Sequence, residues 1–361
     1  MPGQNEKHFY AVDLFCGGGG LSQGLKEAGF TVTAGIEMDL DATATYAANH
    51  PETKLFAKDI RTVSGDEILN TSPEHRIDLI AACPPCQGFS SLTAKYKKED
   101  SRNSLIFEFV RITEEIRPKT IMLENVPGLA TGRGKVFFDR ALTRLKELGY
   151  TIDYKVCDVA NYGVPQHRKR LVVLGCLDHN IKVAPQTHGC DPSLKPWKTV
   201  RDVITNITPP SIYSGKPAFV DNIDKQWNVV RRLSDLNVQR LRALPSEADR
   251  RALPNSLRPK CHQNREKGFI NVYGRMKWDE PSPTITGGCT TLSKGRFGHP
   301  EAVRTISVLE AALLQTFPVN YKLSASSLDA VCKIIGNALP PLFAKIMATQ
   351  CLNVLRKENG K

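Results

Sequence analysis

The chain has 361 residues, 41% of them hydrophobic, a length that suits two or three domains or one large domain with an insertion. No run of eighteen apolar residues occurs, and the opening MPGQNEKHFYAV has one lysine and no apolar signal core, so neither a membrane span nor secretion is expected. Ten cysteines in unlike contexts read as reduced thiols of a cytoplasm, not as a disulfide framework. The net charge of +12 is uneven: between Leu177 and Pro300, 20 Lys and Arg stand against 11 Asp and Glu. That surplus suits a polyanion such as nucleic acid, although a solvated basic surface would look the same.

Taken in chain order, the first 175 residues alternate β-rich runs with amphipathic ones. Phe9 to Phe15 reads as a strand, followed by a glycine turn and a helix from about Leu21 to Ala28. Thr31 to Ile36 reads as a second strand, and a third would end before Asp59. Further strands are expected at Ile77–Ala82, Thr120–Leu123, Ile152–Cys157 and Arg170–Cys176, with helices at Asn103–Ile116 and Val136–Leu148. This alternation predicts an α/β fold: a doubly wound, mostly parallel, Rossmann-like sheet with helices on both faces. After Cys176 prolines punctuate a weakly periodic stretch, which reads as a separate, smaller, loop-rich module. Regularity returns at Ser307, where Ser307-x-x-Glu310 fits a capping box before Ala311–Thr316. A last apolar helix, about Leu342 to Leu355, precedes a frayed tail from Arg356 to Lys361. The expected domains are residues 1–176, 177–300 and a return to the first domain over 301–361.

Four constellations carry chemistry. The first is Asp13-Leu-Phe-Cys-Gly-Gly-Gly-Gly20, with Gly17, Gly18 and Gly20 between a strand and a helix. Alone it is a weak signal, and a tight turn without a ligand is a fair alternative. Glu37, in Gly35-Ile-Glu-Met-Asp39, ends the second strand about twenty residues on, where an acid suits the hydroxyls of a ribose. Asp59-Ile60 could bracket an adenine, and the glycine loop lacks the Lys or Arg that a pyrophosphate would favour. A nucleoside cofactor fits.

The second constellation pairs Cys86 with Glu124. Cys86 follows Pro84-Pro85, so its thiol cannot sit inside a regular helix; it lies on a turn just past a buried strand, where open α/β sheets bind ligands. Glu124 is placed just past another strand. A thiolate can attack an electron-poor carbon while a partly protonated carboxyl donates to a ring nitrogen. A Cys83–Cys86 redox or metal pair is the alternative, though one CxxC lacks the second ligand pair of a structural zinc site. The third is Gly163-Val-Pro-Gln-His-Arg-Lys-Arg170, where Arg168 and Arg170 at alternate positions entering a strand would point the same way. His167 between them is given no role. The fourth is the basic run Lys95, Lys97, Lys98 and Arg102, which could close over a nucleic acid backbone or be an ordinary exposed loop.

In order, DLFCGGGGLSQGL, GIEMD, KDI, CPPCQGFS, DSRNSLIFEFVR, ENVPGL, GVPQHRKRLVV, RTISVLEAALLQTFP and IGNALPPLFAKI resemble the motifs of the DNA cytosine-5 methyltransferases, from Asp13 to Ile346. The resemblance implies a class I S-adenosyl-methionine-dependent fold with a target-recognition domain over the basic segment. It implies that Cys86 is the nucleophile, with Gln87 in the closing loop beside it. Glu124 would contact N3 and the exocyclic amine of the cytosine, and Arg168 and Arg170 would steady the ring O2 and the nucleophile. Phe15, Gly17, Gly18, Gly20, Glu37, Met38, Asp59, Ile60, Pro85, Leu105 and Asn337 match positions that hold S-adenosyl-methionine, and no metal is implied. Asn337 would return to the glycine loop, so the last helix would pack in the first domain.

The implied partner is double-stranded DNA at a short specific site, with the protein a cytoplasmic monomer and a restriction endonuclease a possible companion. Ser90 after Phe89 and the long basic insert favour DNA over tRNA, and the intact Cys86, Glu124, Arg168 and Arg170 argue against a catalytically silent DNA-binding module. Two positions depart from the pattern: Lys58 stands where the family has glycine, and Leu309 where it has an arginine thought to support the recognition region.

Overall fold

The computed structural model describes residues 8–85, 104–215, 227–263 and 271–358. Cys86, Gln87, the basic run from Lys95 to Arg102 and the last three residues lie outside them. The chain forms two compact units: 1–158 with 169–185 and 339–361, and 159–168 with 186–338. The chain therefore rejoins the first unit at Leu339, not at residue 301, and 159–168 leaves it early.

The first unit is built on strands β1 (Tyr10–Leu14), β2 (Thr31–Ile36), β3 (Lys54–Phe56), β4 (Leu79–Ala82), β5 (Thr120–Asn125), β6 (Thr151–Asp158) and β7 (Lys169–Cys176). Their order is β3-β2-β1-β4-β5-β7-β6, parallel except that β7 runs against β5 and β6. β1, β4 and β5 are buried along their whole length, which is why they read as continuous apolar runs. The chain leaves β1 outward through β2 and β3, then returns to β1's other side at β4. That reversal is a topological switch point, and the carboxyl ends of the parallel strands border it.

Helices α1 (Gly20–Ala28), α2 (Leu40–Asn49), α3 (Gly65–Leu69), α4 (Ile106–Ile116) and α5 (Lys135–Glu147) supply the crossovers. α4 and α5 bury Phe109, Ile112, Phe138 and Leu145 in one core with Val12, Ile80 and Leu123. The last helix of the unit, Pro341–Glu358, packs on α1 as expected. Gly24 makes that approach possible, because a Cβ there would lie 2.5 Å from Ala344 Cβ and 2.6 Å from the Pro341 carbonyl. Helix continues through Arg356 to Glu358, so the expected fraying does not begin at Arg356.

The second unit has little regular structure: α6 (Val200–Ile204), the pair β8 (Ser211–Ile212) and β9 (Val229–Val230), α7 (Asp235–Ala243), α8 (Val308–Leu314), α9 (Leu328–Asn337) and several single 3-10 turns. In chain order the last helix of the first unit is thus α10. Ser307 caps α8 in the expected box with Glu310, whose carboxylate also pairs with Arg304 through two bonds of 2.7 Å. Leu309 is buried. Much of this unit is held by polar side chains bonded to backbone. Arg275 is buried and donates to the carbonyls of Leu241, Leu244, His299 and Ala302. Gln166 links Gln315 at 2.8 Å to the Ile285 N–H at 2.9 Å, and Gln315 donates to the Ile335 carbonyl at 2.6 Å.

The stretch Leu328–Lys357 has the length and hydropathy to cross a membrane, but 61% of its most apolar window is buried inside the protein. Among the described residues all nine cysteines are free thiols.

Candidate active site

Four sequence-predicted positions, Phe15, Gly17, Glu37 and Met38, follow from where the parallel strands end. β1 runs into Phe15, which adopts a left-handed backbone (φ 64°), and then into Gly17 at φ 53°. A Cβ on Gly17 would meet nothing within 4 Å, so its conformation, not crowding, selects glycine there. β2 runs into Glu37, whose Oε2 accepts from the Gly17 N–H at 3.0 Å and whose Oε1 accepts from Met38 and Asp39 N–H at 2.8 Å each. A carboxylate offers about four acceptor sites. Three are filled by backbone, and the fourth is on the oxygen shared with the glycine loop.

Met38 is exposed and Ile60 buried, one apolar side chain at the surface and one in the core. Pro85 and Leu105 are partly buried, and Leu105 packs against the sheet's core. Gly18 and Gly20 are buried in the loop and the first turn of α1. These residues fit an adenosyl group: a carboxylate for a hydroxyl, apolar surfaces for a ring and a loop that admits close backbone approach. Asp59 fits less simply. Both its oxygens are taken by the Arg61 guanidinium, with Oδ1 also accepting from the Arg61 N–H at 3.0 Å. Any ring contact by Asp59 has to share it with Arg61.

Beneath the glycine loop lies a group that the sequence reading did not single out. Asp13, in mid-sheet, is fully buried and accepts from Ser22 Oγ at 2.7 Å; Ser22 Oγ is 2.8 Å from the Tyr46 hydroxyl. Burial pushes the Asp13 carboxyl up to about 7, with Ser22 opposing and Glu37 adding to the rise. Its Oδ1 is buried with no partner. The signal available was an acid inside an otherwise apolar strand, YAVDL.

Across the switch point, β4 ends at Ala82, abreast of Leu123 in β5. Glu124 lies within β5, not past it, and is nearly buried. β7 starts at this same edge because it runs antiparallel, with Leu171 opposite Asn125. That places Arg170 Nε 2.7 Å from Glu124 Oε1, with both side chains largely buried. Asn125 donates from Nδ2 to the Pro84 carbonyl at 3.1 Å, fixing the start of the turn that leads to Cys86. Burial, then the adjacent Glu124, push the Cys83 thiol well above its usual range. Such a thiol makes a poor nucleophile or redox partner.

Arg168 differs from Arg170 in its place in the fold. It lies before β7 begins, so strand alternation does not govern it. Its guanidinium donates to the Ile285 carbonyl at 2.9 Å and the Gly336 carbonyl at 3.0 Å, within the second unit. His167 stacks edge-on against Trp197, which accounts for it structurally. Asn337 is the exposed last residue of α9 in the second unit. Among the described residues no group of three or more His, Cys, Asp or Glu could hold a metal.

The strand order, with its antiparallel β7, is that of the class I S-adenosyl-methionine-dependent methyltransferases. The solved structure of the Entamoeba histolytica methyltransferase EhMeth shares the fold, with a TM-score of 0.63 at 16% identity, over 97% of this chain and 99% of that one. Residues 9–353 match the family model of the C-5 cytosine-specific DNA methylases, and the chain belongs to that family. It is 37% identical to the Type II methylase M.HgiDII of Herpetosiphon aurantiacus over 342 residues, 93% of each chain. It is 31% identical to the Type II methyltransferase M1.HphI of Haemophilus parahaemolyticus over 350 residues, covering 96% of this chain and 87% of the relative.

Proposed function

We propose that this DNA cytosine-5 methyltransferase modifies C5 of a cytosine within a short specific sequence of double-stranded DNA, by covalent addition of Cys86 to C6 of a flipped-out base. The observation that carries the reading is the Glu124–Arg170 pair at 2.7 Å, placed at the switch-point edge beside the turn that leads into Cys86. S-adenosyl-methionine supplies an electrophilic sulfonium methyl when bound; Glu37, Phe15 and Ile60 would hold its adenosyl part, with Asn337 and Asp59 as further contacts.

Carbon 5 of cytosine is a weak nucleophile until the ring is activated. The Cys86 thiolate adds at C6 while Glu124 holds N3 by a proton or hydrogen bond, and the ring becomes an enamine whose C5 takes the methyl. Loss of the C5 proton and expulsion of the thiolate restore the aromatic ring. Arg170 keeps the Glu124 carboxyl facing the edge where a base would sit. A stacked duplex hides both faces of the ring, so the base must leave the helix, at a cost of roughly a few kcal/mol. Phosphate and base contacts by the basic second unit would offset that cost. The protein would act as a monomer in the cytoplasm, beside a companion endonuclease of a Type II restriction-modification system, as the names of its relatives suggest.

The test is tritium transfer from labelled S-adenosyl-methionine to DNA, with bisulfite sequencing to find the site. The expected result is 5-methylcytosine at one short motif and no label with C86S. Label in RNA and none in DNA would overturn the DNA assignment.

A further inference from the structure

Two prolines set the shape of residues 249–263. A proline fixes its own φ and pushes the residue before it into extended backbone. Leu253-Pro254 and Arg258-Pro259 accordingly form two matched joints, with φ of −69° and −52° in the first, −66° and −54° in the second, and every ψ between 137° and 143°. Before, between and after them lie three 3-10 turns, Arg250–Ala252, Asn255–Leu257 and Lys260–His262. Each closes by an N–H of its third residue on the carbonyl before the turn: Ala252 to Asp249 at 3.1 Å, Leu257 to Pro254 at 2.9 Å and His262 to Pro259 at 2.7 Å. The result is a ladder with a five-residue step. Side chains lace its steps together. Arg258 Nε donates to the Leu253 carbonyl at 2.9 Å and Gln263 Nε2 to the Arg258 carbonyl at 3.3 Å, each five residues back. Arg240 of α7 donates to the Leu257 carbonyl at 2.8 Å, and Leu253 is buried in one cluster with Leu241, Leu244 and Leu292.

Residues 250–263 carry four Arg or Lys and no carboxylate. Three of the four are enclosed or engaged. Arg250 is buried, Arg251 forks onto Asp249, and Arg258 is spent on the carbonyls of Leu253 and Arg251. Lys260 is exposed, and its ammonium has no partner among the described residues. Ser256 and Cys261, at the second place of successive turns, are exposed too. A surface built to track phosphates would present several free cations. This one presents a single free cation beside small neutral groups, on a frame laced in place, which is what discrimination between base edges requires. We propose that the ladder is a base-reading element of the second unit, with Lys260 donating to the O6 and N7 acceptors of a guanine in the major groove and Ser256 contacting a nearby base edge. From Ser256 to Lys260 the chain rises at most about 10 Å, so the two reach positions within about four base pairs of one another. The inference rests on the proposed action on duplex DNA at a short site.

The experiment incubates the full chain, as wild type, K260A and S256A, with S-adenosyl-methionine and mixed-sequence genomic DNA from a methylation-free host, and reads the methylated motif by bisulfite sequencing. Each variant should accept other bases at one position of the wild-type motif, with discrimination there lowered about 10- to 100-fold, and the position loosened in K260A should be a guanine. The remaining positions should stay as selective as in wild type. Both side chains are exposed, so melting temperatures should match wild type. Cys261 gives a readout independent of activity: N-ethylmaleimide should label its free, exposed thiol at least about tenfold more slowly when a duplex carrying the wild-type motif is bound. Labelling that the duplex does not slow overturns the inference. So does a K260A enzyme slowed equally at every site, with a salt dependence of binding shallower by about one phosphate, since that marks a backbone contact. If wild type and both variants methylate one and the same DNA motif, only the inference falls; if the wild type methylates RNA and no DNA, the reading of its substrate falls and takes the inference with it.

Discussion

The two units differ in what most of their buried polar groups meet. At the switch-point edge of the first unit, ionisable side chains meet one another, Arg170 with Glu124. In the second unit, buried Arg275 donates to four backbone carbonyls and Arg168 to two, with one ion pair, Arg304 to the buried Glu310 carboxylate, beside them. Paired ionisable groups at a strand-end crevice can change protonation and do chemistry. Guanidiniums spent on carbonyls cannot. They satisfy the orphaned acceptors of an irregular chain and hold loops where helices and strands do not. The first arrangement is the reaction site proposed above and the second is a frame.

That contrast is open to mutation. The largest expected effect is E124Q, which keeps shape and loses the acid: kcat should fall about 10²- to 10⁴-fold with the melting temperature little changed. Arg275→Met should do the reverse. Four carbonyls lose their donor, so stability should fall by about 3 kcal/mol or more in urea unfolding, while cofactor binding to any protein that stays folded is retained. If R275M were neutral in stability but lost activity, the division between site and frame would fail.

Asp13 gives a pH signature. Its folded carboxyl is pushed up to about 7 from an ordinary 3.8, so between those values the folded protein keeps a proton that the unfolded chain has lost. The associated stability is fully present below the lower value. It is lost as pH rises toward the upper one, by at most about 1.4 kcal/mol per pH unit. D13N should flatten that slope in denaturation curves taken across the window. The smallest effect is Gly24→Ala, which places a methyl against Ala344 and Pro341 and should cost about 1–3 kcal/mol by crowding, read as a lower melting temperature.

The sheet was legible because its strands are buried on both faces and read as apolar runs between glycine and proline signals. The positions of Glu37 and Glu124 followed from the same logic, since strand ends in such a sheet share one edge. The direction of Arg168 was not legible from alternation, which applies inside a strand, because β7 begins one residue later, at Lys169. The return to the first unit was set too early because the capped helix after Ser307 is regular, and regularity does not say which core a helix joins. Leu309 and Glu310 are buried, yet they belong to the second unit. The bonds of Gln166, Gln315 and Arg275 leave no periodic trace, since each joins residues distant in sequence through one side chain.

The most direct measurement presents the protein with S-adenosyl-methionine and duplex oligonucleotides carrying 5-fluorocytosine, where the C5 substituent cannot leave as a proton. The account predicts a protein–DNA species that survives denaturing electrophoresis, forms at one target sequence and maps by peptide sequencing to Cys86. Methyl transfer to ordinary cytosine with no such adduct, or an adduct that persists in C86S, would contradict it.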